Sequence, residues 1–483
     1  MRYLLGLLVV LLSLGSTVLG SPAAFARQYS LEDLLSLAHT NNPGLAAGAQ
    51  ATAKVQAQLS EANRSWMPSG EVMSLVAPAP NVECQSLPGV VDPNTGMALD
   101  REDYCVRTNI TDVSLNFRGV FSRTHLTLVQ PLFTFGKISA GRTAALAGLK
   151  ASQHKEASLR AEVNLNMKKA YYGVKVTQEI LDTLMEGLSY LDDAQAQVRK
   201  NLDKGTGGIT PKDELRLKTV RAELDVRTLE AEQTAVIAKG AIRALIGPDA
   251  PPELELAPSD FEPVFVPERP LSHYQEQARE SRPEVLALTH LLASKRALAD
   301  LERRKQYPDL VLLGSATYAN ASSIDNPQNA FLNDPFNSKS VGLAAAIRMP
   351  LDLGVRNARA AQVKAEAQET AFRRQEALGG IYYEVQKAHG QLLEAQKRLA
   401  ALRRGERAAK SWVTGVNQSF NAGLAEPKEF TDALASWFQF RVRALQAIYD
   451  VNIAAATLTR TTGTEVTAAP PEEEDDFEEE AIR

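Results

Sequence analysis

An internal repeat constrains the fold of this chain more than any other feature of its sequence. Breaker residues of the first half recur in the second half in the same order: Pro43 and Pro283, Pro68 and Pro308, Pro211 and Pro427, Gly247 and Gly463. The first two pairs are 240 residues apart, and the last two are 216 residues apart. Such a duplication predicts two copies of one supersecondary unit. The smaller offset places an insertion in the first copy, between Pro68 and Pro131.

Each copy has the pattern of a helix, two strands, a very long helix and a return helix. The predicted ranges are Ala46–Trp66, Glu71–Val76, Thr124–Pro131 and Ile138–Leu202 in the first copy, and Glu284–Tyr307, Leu310–Tyr318, Val341–Met349 and Asn357–Phe420 in the second. Along the long helices apolar residues recur every three or four positions, which is coiled-coil spacing. The return helices are expected to end at Gly247 and Gly463, each a suitable residue for the position after a helix.

The repeat also sets the predicted domain boundaries. Residues 1–26 have the positive start, apolar run and small-residue cleavage pattern of a secretory signal peptide. The first structural repeat covers 27–247, an extended and surface-lying linker covers 248–270, and the second repeat covers 271–464. An acidic tail follows at 465–483 and is predicted to be disordered, with a docking tail as the alternative.

Charge argues against nucleic acid as a partner. The chain of 483 residues has a formal net charge of -5. The segment Pro470–Arg483 holds eight acids and one arginine, so the rest of the chain is close to neutral. Nucleic-acid binding needs a concentrated basic face, and a near-neutral body does not indicate one.

Cysteine and histidine usage gives no sign of a metal centre or a catalytic site. Cys84 and Cys105 both lie in the inserted stretch, and an oxidising compartment predicts a disulfide between them. The six histidines are scattered without metal-ligand spacing, and Ser and Asp residues form no nucleophile or triad signature. We therefore expect no metal, no cofactor and no enzymatic activity.

The predicted strands raise a problem of closure. They have the length that crosses a bilayer when tilted. An open sheet in lipid would leave unpaired backbone groups at its edges, which the hydrocarbon does not tolerate. The smallest membrane barrels have about eight strands, whereas one chain supplies four. Three chains would supply twelve, so a homotrimer resolves the problem.

Short motifs mark matching places in the two copies: Tyr29–Ala38 followed by Asn41-Asn42-Pro43, Gln130–Phe133, Met349–Leu351 and Thr461-Thr462-Gly463. In their order, spacing and duplication the chain resembles the TolC-like outer-membrane efflux proteins of Gram-negative bacteria. The resemblance implies an α+β membrane protein, in which long coiled-coil helices form a periplasmic tunnel and four transmembrane β-strands per chain contribute to a trimeric 12-stranded barrel. It also implies the exit duct of a tripartite efflux or type I secretion system, set in outer-membrane lipid. A periplasmic adaptor (membrane fusion) protein would join it to an inner-membrane efflux pump or ABC exporter.

The same resemblance points to gate residues beside the turns that join paired helices. Asp213 follows the first turn, and Glu429 and Asp432 follow the second. In the family, acids at the positions that resemble Glu429 and Asp432 line the entrance as rings, which attract cations. The position of Asp213 resembles an acid that helps to hold the gate shut. A simpler interpretation is that the three acids stabilise helix N-termini through the dipole.

The chain departs from the family pattern at the gate. The family's gate arginine would fall at Ala425, and the corresponding aromatic residue is Phe420, which has no hydroxyl group. Arg216, three residues after Asp213, is an alternative ion-pair partner for that acid. The turns themselves are expected to dock the adaptor, and they carry Gly207, Gly208, Gly423 and Leu424.

A soluble periplasmic coiled-coil scaffold or adaptor protein is the alternative function. It would share the signal peptide and the long helices, but it does not need amphipathic strands of membrane length. The two functions differ in membrane insertion, which the pattern of the strands favours.

Overall fold

The computed structural model describes residues 28–80, 91, 94–97, 117–204, 209–322, 324, 334–422 and 424–468. Several sequence-based expectations lie outside these residues. They are the signal peptide 1–26, the Cys84–Cys105 disulfide, the turn residues Gly207, Gly208 and Gly423, and the acidic run of the tail. These four remain predictions.

The same order of helices and strands occurs twice along the chain. The first copy comprises β1 (Gln28–Tyr29), α1 (Leu31–Asn41), α2 (Pro43–Arg64), β2 (Ser69–Pro80), β3 (Phe117–Phe133), α3 (Lys137–Lys204) and α4 (Pro211–Ile246). After β4 (Glu255–Leu256) the second copy comprises α5 (Leu271–Ser281), α6 (Pro283–Arg304), β5 (Asp309–Ala321), β6 (Ser338–Arg348), α7 (Leu353–Asn421) and α8 (Pro427–Thr462).

The long helices are confirmed, and the strands are longer than their pattern predicted. α3 has 68 residues and α7 has 69. β3 has 17 residues, although the sequence predicted only Thr124–Pro131. Its first half was missed because polar residues such as Arg123 interrupt the apolar pattern, yet Arg123 pairs with Leu75 of β2 and Ala319 of β5. None of the helices among the described residues is long and apolar enough to cross a membrane.

The chain forms two compact units that differ from the two sequence copies. Unit 1 contains the described residues of Met1–Ala46, Leu159–Tyr274 and Val385–Arg483, and unit 2 contains those of Ala47–Ser158 and Gln275–Glu384. Each unit therefore takes segments from both copies. The repeat is a duplication of element order, and neither copy is a compact unit by itself.

Unit 2 contains an antiparallel sheet in the order β2-β3-β5-β6. Residues paired directly across strands share a face, so the register defines the two faces. One face is apolar and includes Val72, Leu126, Ala316 and Val341, which lie side by side across the four strands. The other face is more polar and includes the neighbouring row Met73, His125, Thr317 and Ser340. The His125 Nδ1 and Thr317 Oγ1 atoms are 2.8 Å apart.

The core of unit 1 consists of two clusters of apolar side chains. In the first, α3, α4, α7 and α8 contribute residues at helical spacing, including Leu184, Leu191, Leu217, Phe430 and Trp437. In the second, α1 packs on α3 and α4, and the members include Leu34, Ala38, Met167, Val174, Ile242 and Ile246. The predicted coiled-coil seam residues Leu184 and Leu191 are fully buried.

The predicted helix ends are confirmed where the sequence offered a specific signal. Ser30 caps α1 in a capping box with Asp33, whose amide donates to the Ser30 hydroxyl at 3.2 Å. Gly247 and Gly463 follow α4 and α8 with φ of 101° and 79°, a region that favours glycine. A Cβ at Gly247 would also lie 2.9 Å from Pro43 Cδ, so space as well as conformation requires glycine there.

The linker and the start of the tail differ from the prediction. The linker is extended, but it does not simply lie on the surface, because Leu254, Leu256 and Phe261 are buried. β4 within it pairs in parallel with β1. The first tail residues are also bound, since the carboxylate of Glu465 accepts a hydrogen bond from Thr459 at 3.0 Å. Apolar residues between the prolines of the linker pack it against the rest of unit 1.

Candidate functional site

The predicted site residues that the structure describes lie in or beside two short connections of unit 1. The first connects the end of α3 at Lys204 to the start of α4 at Pro211. The second connects the end of α7 at Asn421 to the start of α8 at Pro427. Proline suits the first helical position, because the N–H that it lacks would have no partner within the helix.

Asp213 is bound to the start of its own helix. Its Oδ2 atom accepts hydrogen bonds from the Thr210 backbone N–H at 2.9 Å and from the Thr210 hydroxyl at 2.8 Å. This geometry matches the simpler interpretation of Asp213 as an N-terminal helix residue. Arg216 is exposed, and within the described part of the chain it forms no ion pair with Asp213.

Glu429 and Asp432 lie together on the exposed side of α8. They are three residues apart, which places them on neighbouring positions of one helix face. Both are exposed. Phe430, which lies between them, and Ala433, which follows Asp432, are buried in the core. Among the described residues neither carboxylate forms an ion pair, so both remain available to ions in solution.

Phe420 and Leu424 have opposite surroundings. Phe420 is 3% exposed and stacks on Phe430 with ring centroids 5.4 Å apart, so it packs the end of α7 against the start of α8. Leu424 lies in the connection itself and is 84% exposed.

Ion pairs within and between the helices near this site were not predicted from the sequence. Glu214 of α4 contacts Lys218 at 2.9 Å and Arg199 of α3 at 3.4 Å. The hydrogen bond from Lys218 lowers the pKa of the Glu214 carboxyl. Further along, Arg441 of α8 contacts Glu406 of α7 at 3.0 Å. Only the Glu214–Lys218 pair had a sequence signal, namely its spacing of four residues on one helix.

Comparison with known proteins defines the class of this chain. The family model described as "Outer membrane efflux protein" matches residues 115–248 and 275–464. These segments contain the sheet strands β3, β5 and β6, the four long helices and the residues beside both connections. The chain therefore belongs to the outer membrane efflux protein family.

Individual relatives agree with this assignment. The chain is 26% identical over 342 residues to the "Cobalt-zinc-cadmium resistance protein CzcC" of Cupriavidus metallidurans, covering 69% of this chain and 75% of that protein. Its fold is similar to that of CusC, with a TM-score of 0.70 at 16% identity over 91% of this chain and 93% of the other. It is also similar to the MtrE outer membrane channel of Neisseria gonorrhoeae, with a TM-score of 0.65 at 18% identity over 90% and 89% of the two chains.

The family assignment confirms the predicted TolC-like fold and the predicted function. The protein is an outer-membrane efflux channel. It acts as the exit duct of an efflux system that also contains an adaptor and a pump. The family consists of channel proteins, and the soluble scaffold or adaptor is not supported.

Proposed function

We propose that three copies of this chain form one channel, in which their sheets join into a single closed sheet of twelve strands. The observation that carries the proposal is the four-stranded sheet of unit 2, whose outer strands β2 and β6 have no further strand beside them among the described residues. Unpaired strand edges are not tolerated in lipid. Joining β2 of one copy to β6 of the next would remove every edge.

The exposed apolar side chains of the sheet support its placement in lipid. On β6, Val341 is 88% exposed and Ile347 is 76% exposed, and both lie on the apolar face. Alternation of apolar and polar residues along a strand is typical of strands with lipid on one face and water on the other. The polar row with His125 and Thr317 would then line the aqueous interior.

Exposed apolar residues on the return helix α4 also support assembly. Leu215, Leu229 and Val236 are each more than 60% exposed. Other apolar residues of the same helix, such as Leu217 and Leu224, are buried in the core. A stripe of this kind in water marks a contact surface. We infer that neighbouring copies cover it.

The native mass of the detergent-extracted protein, corrected for bound detergent, tests this proposal. We expect three copies per particle, because four strands per chain cannot close a sheet of membrane-barrel size. A particle that contains a single chain would contradict the proposal, since the edges of β2 and β6 would then have no partner. Extraction must be shown to preserve secondary structure, so circular dichroism of the same sample is the control.

We further propose that Glu429 and Asp432 form acidic rings at the periplasmic entrance. The support is their exposure on one face of α8 and their lack of a cation partner among the described residues. Three copies would bring up to six carboxylates around one opening, which favours cations. The similarity to a cobalt-zinc-cadmium resistance protein supports divalent metal cations as the cargo class. Leu424 and the neighbouring connections would contact the adaptor.

Charge reversal at the rings tests the entrance proposal. Glu429→Lys with Asp432→Lys should convert a cation-preferring channel into one that prefers anions, because each ring changes from negative to positive. The measurement is the reversal potential of the channel in planar bilayers under KCl and CdCl2 gradients. The matched control is Asp225→Lys with Glu230→Lys, which makes the same charge change at exposed positions of α4. Equal shifts in the two variants, or no shift in either, would refute a ring at α8.

A further inference from the structure

The sheet of unit 2 has a single charged side chain among the paired residues of its apolar face. Lys339 of β6 lies on the same face as Val341 and Ile347, because alternate residues of a strand share a face. Among the residues of this face that pair directly across strands, only Lys339 is charged. Lys339 is exposed, and within the described part of the chain it forms no ion pair. A charge on a lipid-facing surface is costly at the middle of the bilayer and tolerated near its interfaces, so the position of Lys339 along the strand is informative.

Lys339 belongs to the row of residues at which the apolar face becomes polar. This boundary row lies side by side across the four strands and consists of Ser74, Thr124, Tyr318 and Lys339. The Ser74 Oγ and Thr124 Oγ1 atoms are 3.1 Å apart. The next row of the same face, the apolar row, consists of Val72, Leu126, Ala316 and Val341. A step from four apolar side chains to four polar or amphipathic ones is expected where a strand leaves the hydrocarbon.

The boundary row lies away from the end of the sheet to which the helices attach. β2 and β5 follow α2 and α6, and β3 and β6 lead into α3 and α7, so all four connections are at one end. At that end the Phe135 ring lies 4.7 Å from the Phe133 ring and 6.2 Å from the Tyr307 ring, centroid to centroid. Lys339 is eight residues along β6 from Ile347 at the helix end. At about 3.3 Å per residue and a tilt of about 40°, this spacing spans about 20 Å of depth. The span is close to the apolar band of about 25 Å between the aromatic girdles of membrane barrels.

A groove with a volume of about 380 Å3 lies across the boundary row and the apolar row. Its lining includes Thr124, Tyr318 and Lys339 of the boundary row and Leu126, Ala316 and Val341 of the apolar row. The Lys339 Nζ atom is 5.6 Å from the centroid of the Tyr318 ring, which is within the range of a cation–π contact. This contact keeps the ammonium group beside the Tyr318 ring at the polar end of the groove. The groove thus has a cationic end and an apolar end, which is the arrangement that matches the headgroup and the acyl chain of an anionic lipid.

From the lone charge, its depth and the two ends of the groove, we propose that Lys339 and Tyr318 bind the phosphate group of an anionic membrane lipid. The ammonium group of Lys339 pairs with the phosphate, the Tyr318 hydroxyl donates a hydrogen bond to it, and the acyl chain lies along the apolar row. The positive charge favours an anionic lipid over a zwitterionic one, and the apolar row favours a lipid over a free phosphate ion. The site rests on the placement of the apolar face in lipid that is proposed above. It uses the face of the sheet, whereas assembly uses the edges of β2 and β6, so a neighbouring copy does not compete for it.

Native mass spectrometry of the detergent-extracted protein tests the lipid site. The protein is titrated with an equal mixture of dioleoyl phosphatidylglycerol, which is anionic, and dioleoyl phosphatidylcholine, which is zwitterionic. The wild-type protein should bind phosphatidylglycerol in preference, with one lipid per chain. Lys339→Gln should lower this preference about fivefold, the effect expected for one basic residue at an anionic lipid surface. Lys339→Arg keeps the charge and should retain the preference.

The matched control is Arg123→Gln, which removes the same charge from an exposed position of β3 on the polar face. Arg123 directly precedes Thr124 of the boundary row and pairs with Ala319, so it lies at nearly the same depth as Lys339. This variant should keep the wild-type preference. Equal binding of the two lipids by the wild-type protein, or equal losses in Arg123→Gln and Lys339→Gln, would overturn the site. Displacement of the bound lipid by excess inorganic phosphate would show that a free anion suffices and would overturn a lipid as the occupant.

The same spectra separate this proposal from the proposed assembly, because they also count the chains in each particle. A trimer without a preference for phosphatidylglycerol would overturn the lipid site and leave the twelve-stranded sheet intact. A single-chain particle would contradict the twelve-stranded sheet, and the comparison of Lys339→Gln with Arg123→Gln in that particle would still decide the lipid site.

Discussion

Trp437→Ala should lower the free energy of unfolding by about 3–5 kcal/mol, as expected for truncation of a large buried aromatic residue. Trp437 is 2% exposed and lies in the core cluster that joins α3, α4, α7 and α8 of unit 1. Its ring meets the Tyr190 ring edge to face, with centroids 6.3 Å apart. A cavity at this point would loosen all four helices at once. Thermal unfolding of the purified protein, followed by circular dichroism at 222 nm, should show a clearly lower transition temperature.

The matched control is Trp437→Phe. The indole Nε1 atom of Trp437 is buried without a hydrogen-bond partner among the described residues, so phenylalanine removes an unsatisfied donor while it keeps most of the ring. The cost should be about 1 kcal/mol, well below that of alanine. If the two variants unfold at the same temperature, the stability does not come from the volume of this side chain in the core.

Arg282→Met should lower the free energy of unfolding by about 3 kcal/mol, since it removes one member of a buried ionic network. Arg282 is 4% exposed at the start of α6. Its Nε atom contacts Glu284 at 3.1 Å, and its Nη2 atom contacts Glu384 of α7 at 2.6 Å. Without the guanidinium, two carboxylates would remain close together with reduced access to water. Thermal unfolding measures this loss of stability. As a control, Glu384→Gln alone should lower the free energy of unfolding by less, because Glu384 is half exposed.

The pH dependence of stability separates this ionic role from simple packing. Burial would raise the pKa of Glu284, but the charge of Arg282 and hydrogen bonds from Ser158 and Arg282 outweigh it and lower the pKa. A lowered pKa gives stability that is present above the unfolded value and is lost as the pH falls through the folded value. Arg282→Met should therefore flatten the acid side of the stability curve. The triple variant with Glu284→Gln and Glu384→Gln should recover stability at pH 7, and failure to recover would assign the effect to lost packing.

The order of helices and strands was predictable because breaker residues act locally. Proline disfavours helix in the residue before it, and glycine alone adopts the positive φ found at Gly247 and Gly463 without strain. These signals are independent of tertiary contacts, so the duplication could be read from the sequence. Strand lengths were less predictable, because the polar face of β3 is set by its position between β2 and β5.

The individual side chains at equivalent positions were not predictable from the repeat. Asn42 and Arg282 occupy matching places before a helix proline. The Asn42 side chain donates to the Leu245 carbonyl at 2.6 Å and accepts from the Leu45 amide at 3.0 Å. Arg282 instead binds two glutamates. Likewise Phe420 was expected at the gate, but its surroundings depend on Phe430 of α8, which only the packing of two helices brings close.

The division of the chain into interleaved segments has a consequence for biogenesis. Unit 1 needs the C-terminal segment for completion, since Arg460 pairs with Glu162 across 298 residues of chain. Contacts of such sequence separation carry a large loop-closure entropy and form late. During export, the apolar seams of α3 and α4 therefore remain exposed until α8 packs on them. A nascent chain in this state is prone to aggregate, so the last helix of the chain decides when unit 1 is protected from aggregation.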